Sequence, residues 1–200
     1  MAHAALVLAP PTRIVIARRS LAVLLLLLLA GHAHASEWAV DTAKSRLGFT
    51  CIGSGVTFTG QFKKFSAHII FDPAKPEAGH AEVLVDMASA FTGDPETDST
   101  LLESDWFDVK HFAQARFEAK TFRPKAGDNY EAVGVLTIRN MSHDLVLPFQ
   151  LSITGDTAHA TGKTTIVRSS FGIGQGTGND TVALDVGVDV DVTATRVPGT

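Results

Sequence analysis

The sequence predicts an all-β fold, an antiparallel barrel with one short helix inserted between its strands. Three observations support this prediction. Apolar and polar residues alternate over long stretches, the longest at 182–195, and a period of two is typical of a strand with one dry face. The alternation changes parity within 56–72, which indicates the kind of bend that closes a sheet into a barrel. Only one segment, 98–107, has a helical pattern.

The strands follow one another along 36–200, and no repeat or low-complexity tract divides that stretch. Within 56–72, the parity changes at Lys63 and Lys64, so we predict a bulge or a sharp bend at that point. Turns are predicted where Pro, Gly, Asp and Asn cluster. The remaining strands are predicted over 37–41, 44–53, 81–87, 112–123, 130–140, 145–153 and 159–168.

The single helix is predicted over 100–107. Asp98 or Ser99 can cap its first turn, because a short polar side chain there accepts a hydrogen bond from a backbone N–H group. Acidic residues near the start are also favourable to the helix dipole. Leu102 and Trp106 are expected to share its buried face.

The N-terminal segment has the organisation of a secretory signal peptide. Three arginines precede the apolar run 21–30, and the run is followed by the small-residue triplet Ala33-His34-Ala35. A basic region, an apolar run of about ten residues and an A-x-A site predict cleavage after Ala35. The alternative is an uncleaved anchor, but the run is about half as long as a bilayer span requires. We therefore expect an exported domain over 36–200.

Charge and cysteine content exclude several classes of protein. Of the 17 Lys and Arg residues, three lie in 1–35 and none of the 21 acids does, so 36–200 has a net charge of −7. Such an acidic stretch without a basic cluster argues against a nucleic-acid partner. Cys51 is the only cysteine and cannot form an internal disulfide. We expect it to be a buried, unreactive thiol, since it shares strand parity with Leu47 and Phe49.

Two conspicuous segments resemble ligand sites only in part. The glycine-rich segment 171–178 is followed by a strand, whereas a phosphate loop opens a helix, so we predict a hairpin connection or a close backbone approach at the barrel rim. The acids of 94–105 have the spacing of a calcium loop. However, Ser99 occupies the position of the glycine that makes the sharp turn there, and we predict that these acids cap the helix instead.

No catalytic or metal-binding pattern is present in the sequence. The histidines at 68, 80, 111, 143 and 159 lack the spacing of a metal pair, and no Gly-x-Ser-x-Gly elbow occurs. We therefore predict no metal, no cofactor and no enzyme activity, although a triad assembled only by the fold would leave no local motif.

The barrel interior has two interpretations that the residues leave open. An eight-stranded barrel either fills with side chains or holds one small ligand. Large apolar groups are candidates for the lining, with two aromatic residues of the helix region near an opening. These candidates are Phe49, Phe58, Phe117 and Phe149 in strands, with Trp106 and Phe107 from the helix region.

Seven motifs, in order along 38–173, resemble those of the YceI-like family. Their order along nearly all of the exported stretch is more specific than any one of them. The motifs are Trp38-x-x-Asp41-x-x-x-Ser45-x-x-x-Phe49, Gly60-x-Phe62-x-x-Phe65, Ile70-Phe71-Asp72, Asp105-Trp106-Phe107-Asp108, Ala115-x-Phe117-x-Ala119, Gly134-x-Leu136-Thr137-Ile138-Arg139 and Arg168-x-x-Phe171-Gly172-Ile173.

The resemblance implies a lipocalin-like, eight-stranded antiparallel β-barrel in the bacterial periplasm. It implies a hydrophobic cavity for a polyisoprenoid, an isoprenoid quinone or a long-chain acyl lipid, used in transport, storage or sequestration. On this basis, ten residues are predicted to contact the ligand. They are Phe49, Phe58, Val83, Val85, Trp106, Phe107, Phe117, Leu136, Phe149 and Phe171.

Two motifs, Asp105-Trp106-Phe107-Asp108 and the glycine-rich 171–176, are similar to those of family members linked with a membrane cytochrome b. An alternative is therefore a soluble interaction subunit of such a system, without a transport role, and a third hypothesis is an enzyme that acts on a lipid. The chain departs from the family pattern at Lys44 and Ser170, and Thr177-Gly178 replaces a frequent Glu-Trp. A homodimer is neither indicated nor excluded.

Overall fold

The computed structural model describes residues 36–199, and the predicted signal peptide lies outside them. Within that range the chain forms eleven β-strands and one α-helix, α1, at Pro95–Leu102. The strands are β1 Ser36–Val40, β2 Arg46–Gly53, β3 Val56–Phe62, β4 Phe65–Phe71, β5 His80–Asp86, β6 Ala90–Phe91, β7 Gln114–Pro124, β8 Asn129–Ile138, β9 Met141–Thr154, β10 Thr157–Val167 and β11 Asp185–Arg196.

These segments form a closed, eight-stranded antiparallel barrel, because three of its strands are each split in two. Three bent strands are each divided into two halves: β1 with β2, β3 with β4, and β5 with β6. On one half of the wall β1 is hydrogen-bonded to β4, and β4 to β5. On the other half β2 is hydrogen-bonded to β3, and β3 to β6. Strand β5 pairs with β7, and β7 to β11 then pair in order as a meander. Pairing of β1 with β11, at Trp38 with Arg196, closes the barrel.

The bend predicted within 56–72 is confirmed. Strand β3 ends at Phe62 and β4 begins at Phe65. At the break, the backbone N–H groups of Lys63 and Lys64 both bind Ser89, the first at its carbonyl oxygen (3.1 Å) and the second at its Oγ (3.0 Å). This bend explains why apolar residues of opposite parity on the two sides both face the interior.

The helix is present but begins earlier than predicted, so the range 100–107 is wrong. Its cap is Asp94, which accepts hydrogen bonds from two backbone N–H groups of the first turn at 3.3 and 3.4 Å. Asp98 lies inside the helix. Its Oδ1 accepts hydrogen bonds from the backbone N–H and the hydroxyl group of Thr92, which precedes the helix. Leu101, rather than Leu102, is the buried residue of α1. A proline directly after Asp94 explains the early start, since its fixed φ suits the first helical position.

No helix within residues 36–199 is long and apolar enough to span a bilayer.

We predict that Gly134→Ala destabilises the barrel. Gly134 lies opposite Ala119, just before a shift in register between β7 and β8. A Cβ atom there would lie 2.0 Å from the carbonyl oxygen of Glu118, which is backbone and cannot move aside cheaply. We expect a loss of at least about 1–3 kcal/mol, the usual range for an overpacked site, measured by urea unfolding.

Gly187→Ala is the matched control in β11. Its Cβ would lie 3.7 Å from the nearest atoms, which is ordinary contact, so the change should stay within about 0.5 kcal/mol. Equal stabilities of the two variants would contradict the packing described for Gly134.

Candidate ligand-binding cavity

The barrel encloses an apolar cavity of about 300 Å³. Its presence is visible in single strands: in β5, inward-facing Ala81 and Val85 are buried, but Val83 between them is only half-buried. In β7, Phe117 is likewise half-buried between two buried alanines. Because these side chains point into the barrel, their accessible surface cannot face the outer solvent. The accessible surface in the middle of these strands therefore borders empty space inside the barrel. The interior is therefore filled at both ends and open in the middle.

One end of the cavity is closed by packed aromatic rings. The Phe71 ring meets Phe122 edge-on at 5.0 Å between centroids and Tyr130 at 5.4 Å, while Phe149 stacks on Tyr130 at 5.6 Å. Trp38 is buried beside them and donates its indole N–H to the Phe71 carbonyl oxygen at 3.0 Å. Because edge-on and offset rings pack closely, this cluster forms a firm floor.

The other end is covered by what we call the cap, formed by α1, residues 103–108 and the glycine-rich loop 168–178. The carbonyl oxygen of Asp105 accepts hydrogen bonds from the N–H groups of Gly174 (2.6 Å) and Gln175 (3.1 Å). Buried Phe107 and Ile173 bring the apolar side of the cap onto the same core cluster as Phe49. The glycine-rich segment thus lies at the barrel rim, as predicted, and there it contacts the helix region.

Arg168 holds the cap loop from inside. Its side chain is 3% exposed, and all five of its N–H donors reach backbone carbonyl oxygens. A buried guanidinium is unfavourable unless its donors are satisfied, so the loop must wrap around it. The acceptors are Ile173 (2.9 Å), Gly174 (3.0 Å), Thr177 (3.2 Å), Val182 (2.8 Å) and Ala183 (3.0 Å).

The cap glycines make this wrapping feasible. Gly172, Gly174 and Gly176 have φ angles of +65°, +71° and +77°, a region that favours residues without a Cβ atom. In addition, a Cβ atom on Gly174 would lie 2.4 Å from the Arg168 guanidinium. The glycine-rich sequence therefore serves the buried arginine and not a phosphate group.

Arg139 ties the two parts of the cap together from the β8–β9 turn. Its Nη1 donates to the carbonyl oxygen of Trp106 at 2.9 Å and to that of Gly172. Its guanidinium also lies 5.8 Å from the centre of the Phe112 ring. The Nε atom is buried without a hydrogen-bond partner, so the position is held despite an unsatisfied donor.

Sequence reasoning did not assign these roles to Arg139 and Arg168. The available signal was compositional, because Arg168 is the only charged residue in 164–179. A single charge within an apolar, glycine-rich segment indicates a buried group with many backbone partners.

Nine of the ten predicted contact residues line the cavity, and Phe171 does not. Phe171 is buried in the core cluster that contains Phe107 and Ile173, and its ring centroid lies 5.0 Å from that of His143. Contact with a ligand stays a prediction for all ten residues. Those that line the cavity are Phe49, Phe58, Val83, Val85, Trp106, Phe107, Phe117, Leu136 and Phe149.

Few polar side chains reach the cavity. Among the lining residues described they are Cys51, Thr164 and Arg168, with no carboxylate or imidazole. Arg116 also belongs to the lining, but its guanidinium is exposed on the outer face, where it pairs with Glu82 and Glu118. Burial raises the pKa of the Cys51 thiol, outweighing the opposing effects of a backbone hydrogen bond from Ile52 and of the Arg168 charge. The thiol is therefore neutral, as expected for a small apolar group. Within residues 36–199, no cluster of His, Cys, Asp or Glu could hold a metal ion.

Comparisons with known proteins agree with this architecture. The chain is 28% identical over 183 residues to a UPF0312 protein of Pseudomonas putida (strain W619), covering 82% of this chain and 90% of that protein. The crystal structure of BcnA from Burkholderia cenocepacia superposes with a TM-score of 0.74 at 35% identity, covering 78% of this chain and 99% of that one.

A domain of Saccharophagus degradans, described as polyisoprenoid-binding, shares the fold at a TM-score of 0.66. It is 16% identical and covers 82% of this chain and 99% of its own. The YceI-like domain model matches residues 38–194. The chain therefore belongs to the YceI-like domain family.

Proposed function

We propose that the protein binds one long apolar lipid inside the barrel and carries, stores or sequesters it in the periplasm. The lipid would be a polyisoprenoid, an isoprenoid quinone or a long-chain acyl molecule. The observation that carries this proposal is the almost wholly apolar cavity of about 300 Å³ inside the barrel. That volume lies at the lower end of the range of about 300–1,000 Å³ for small-molecule sites.

An empty cavity of this size would be costly to the folded state. Apolar walls that border a void lose the van der Waals contacts that packed atoms would make. Water does not repay the cost, because an apolar void stays dry. An apolar ligand would recover it by restoring the missing contacts.

The shape of the barrel favours a chain-like ligand. Strand β10 has 11 residues, which at about 3.3 Å per residue and a tilt of about 40° give a wall about 28 Å tall. The hydrocarbon core of a bilayer is about 30 Å thick, so one lipid chain within a leaflet extends about 15 Å. The interior between the aromatic floor and the cap thus suits one such chain. The polyisoprenoid-binding description of the Saccharophagus domain supports the same class of ligand.

The test of this function is native mass spectrometry of the purified protein, followed by organic extraction. We expect one apolar lipid per chain, released by solvent and identified by its mass. Repeated absence of a lipid, together with no binding of decylubiquinone or cis-parinaric acid, would overturn the proposal. Co-purification of the empty protein with a membrane cytochrome b would instead favour the alternative of an interaction subunit.

Filling the cavity should weaken binding without unfolding the protein. Ala67 is a lining residue of β4 and pairs with half-buried Val83 in the middle of the wall. We expect Ala67→Phe to weaken binding of cis-parinaric acid at least tenfold, while stability to urea stays equal or rises, since the added ring occupies void.

Ser66→Phe is the matched control, because Ser66 is exposed on the outer face of the same strand. It adds the same ring outside the barrel and should leave binding within about twofold. If both variants bind the probe as the unaltered protein does, the ligand does not occupy this cavity.

Export is the second part of the proposal. We expect protein purified from the periplasmic fraction to begin at Ser36, as shown by its intact mass. Replacing Ala33 and Ala35 with leucine should leave the precursor uncleaved, because the signal peptidase site requires small residues. Recovery of the full-length chain in the cytoplasmic fraction of unaltered cells would contradict export.

A further inference from the structure

The tip of the β2–β3 hairpin, residues 52–57, is an exposed apolar surface beside the cavity. We infer that this tip docks on a lipid bilayer, so that the ligand passes between the membrane and the cavity beneath the hairpin. The inference rests on the proposed function, and it adds the surface through which that function would operate.

The tip exposes more apolar side-chain surface than its neighbours. Val56 is 68% exposed and Ile52 is 48% exposed, the two highest values among the large apolar residues that stand out in the described part of the chain. They lie on opposite faces, since Val56 pairs with Gly53 while Ile52 pairs with Thr57. Both faces of the tip are therefore apolar, unlike the outer wall, where charged side chains alternate.

One face of the tip is continuous with the cavity. Phe58 pairs with Cys51, and both line the interior. Val56 has the same strand parity as Phe58, so the inward face of β3 continues past the rim into solvent. Val182, another lining residue, forms a bridge with Gly53 at the base of the tip. An apolar path thus runs from exposed Val56, past half-buried Phe58, into the barrel.

The tip itself carries no charge, although Asp180 and Asp185 lie near its base. No charged residue occurs in 47–62, and Asp180 is the only one in 169–184, although 36–200 carries a net charge of −7. The outward faces of β11 place Asp185 and Asp191 in solvent. Lipid phosphates repel such a wall, whereas insertion of the tip itself buries no charge. The charge pattern therefore orients the molecule tip-first towards a bilayer.

The size of the tip also favours a bilayer over a protein partner. A stable protein interface buries about 800 Å² on each partner, which is more than six hairpin residues expose. Insertion into a bilayer interface requires no matching surface, since its strength scales with the apolar area that leaves water. Two exposed aliphatic residues supply a weak, reversible contact, as an exchanging carrier requires.

The first test is the transfer of cis-parinaric acid from the loaded protein to phosphatidylcholine vesicles. We expect the transfer rate to rise with vesicle concentration, and Val56→Asp to lower it at least tenfold while affinity in solution stays within twofold. Val146→Asp is the matched control, because Val146 is 40% exposed on the outer wall, and it should transfer at the unaltered rate. Equal rates for the two variants, or a rate independent of vesicle concentration, would overturn the inference.

The second test requires no cavity ligand and so separates the inference from the proposed function. In Val56→Trp, the added indole should shift its emission to the blue on mixing with phosphatidylcholine vesicles and be quenched by brominated lipid. Val146→Trp should show neither change. Failure of the unaltered protein to bind any apolar probe would refute the function, whereas an unchanged Val56→Trp spectrum would refute docking.

Discussion

Closure of the hydrogen-bond ladder between β1 and β11 is the constraint on which the molecule depends. Closing a sheet removes its edges, and within residues 36–199 every strand except the short β6 pairs with two neighbours. The pairing of Trp38 with Arg196 and of Val40 with Ala194 fixes this seam. Once the ring is closed with eight strands, its width is set and alternate side chains must point inward. The strict alternation of β11 is the sequence counterpart of that requirement, and the apolar interior is its consequence.

The two ends of the barrel are closed by different physical means. At the floor, aromatic rings around Phe71 fill the space and exclude water by packing alone. At the cap, an irregular loop brings backbone carbonyl groups into an apolar region, where each needs a donor. Arg168 supplies five donors from one planar group, which no hydrophobic residue could replace. Neither device extends into the middle of the barrel, and the cavity is the volume left between them.

The sequence was informative wherever structure follows from a local period. Alternation identified the strands and their inward residues, including the seven predicted contact residues that lie in strands and line the cavity, and the parity change located the bend at Lys63. It could not show whether the interior was filled, since a period of two fixes the direction of a side chain but not the distance to the opposite wall. The helix start was misplaced because Asp94 and Asp98 are equally good caps by residue type. The roles of Arg139 and Arg168 depend on carbonyl groups brought together only by the tertiary fold.

The arrangement of the closures also determines where a ligand can exchange most cheaply. Opening the cap would break the two hydrogen bonds that the Arg168 guanidinium makes outside it, to Val182 and Ala183, and hydrogen bonds to charged groups contribute about 1.5–3 kcal/mol each. It would also leave two donors of that buried charge unsatisfied. Beneath the β2–β3 hairpin, by contrast, half-buried Phe58 separates the cavity from exposed Val56, and rotation of one ring costs far less. A rigid cap and a less tightly held hairpin therefore favour exchange beneath the hairpin, where the cavity lies nearest to the surface that we infer to contact lipid.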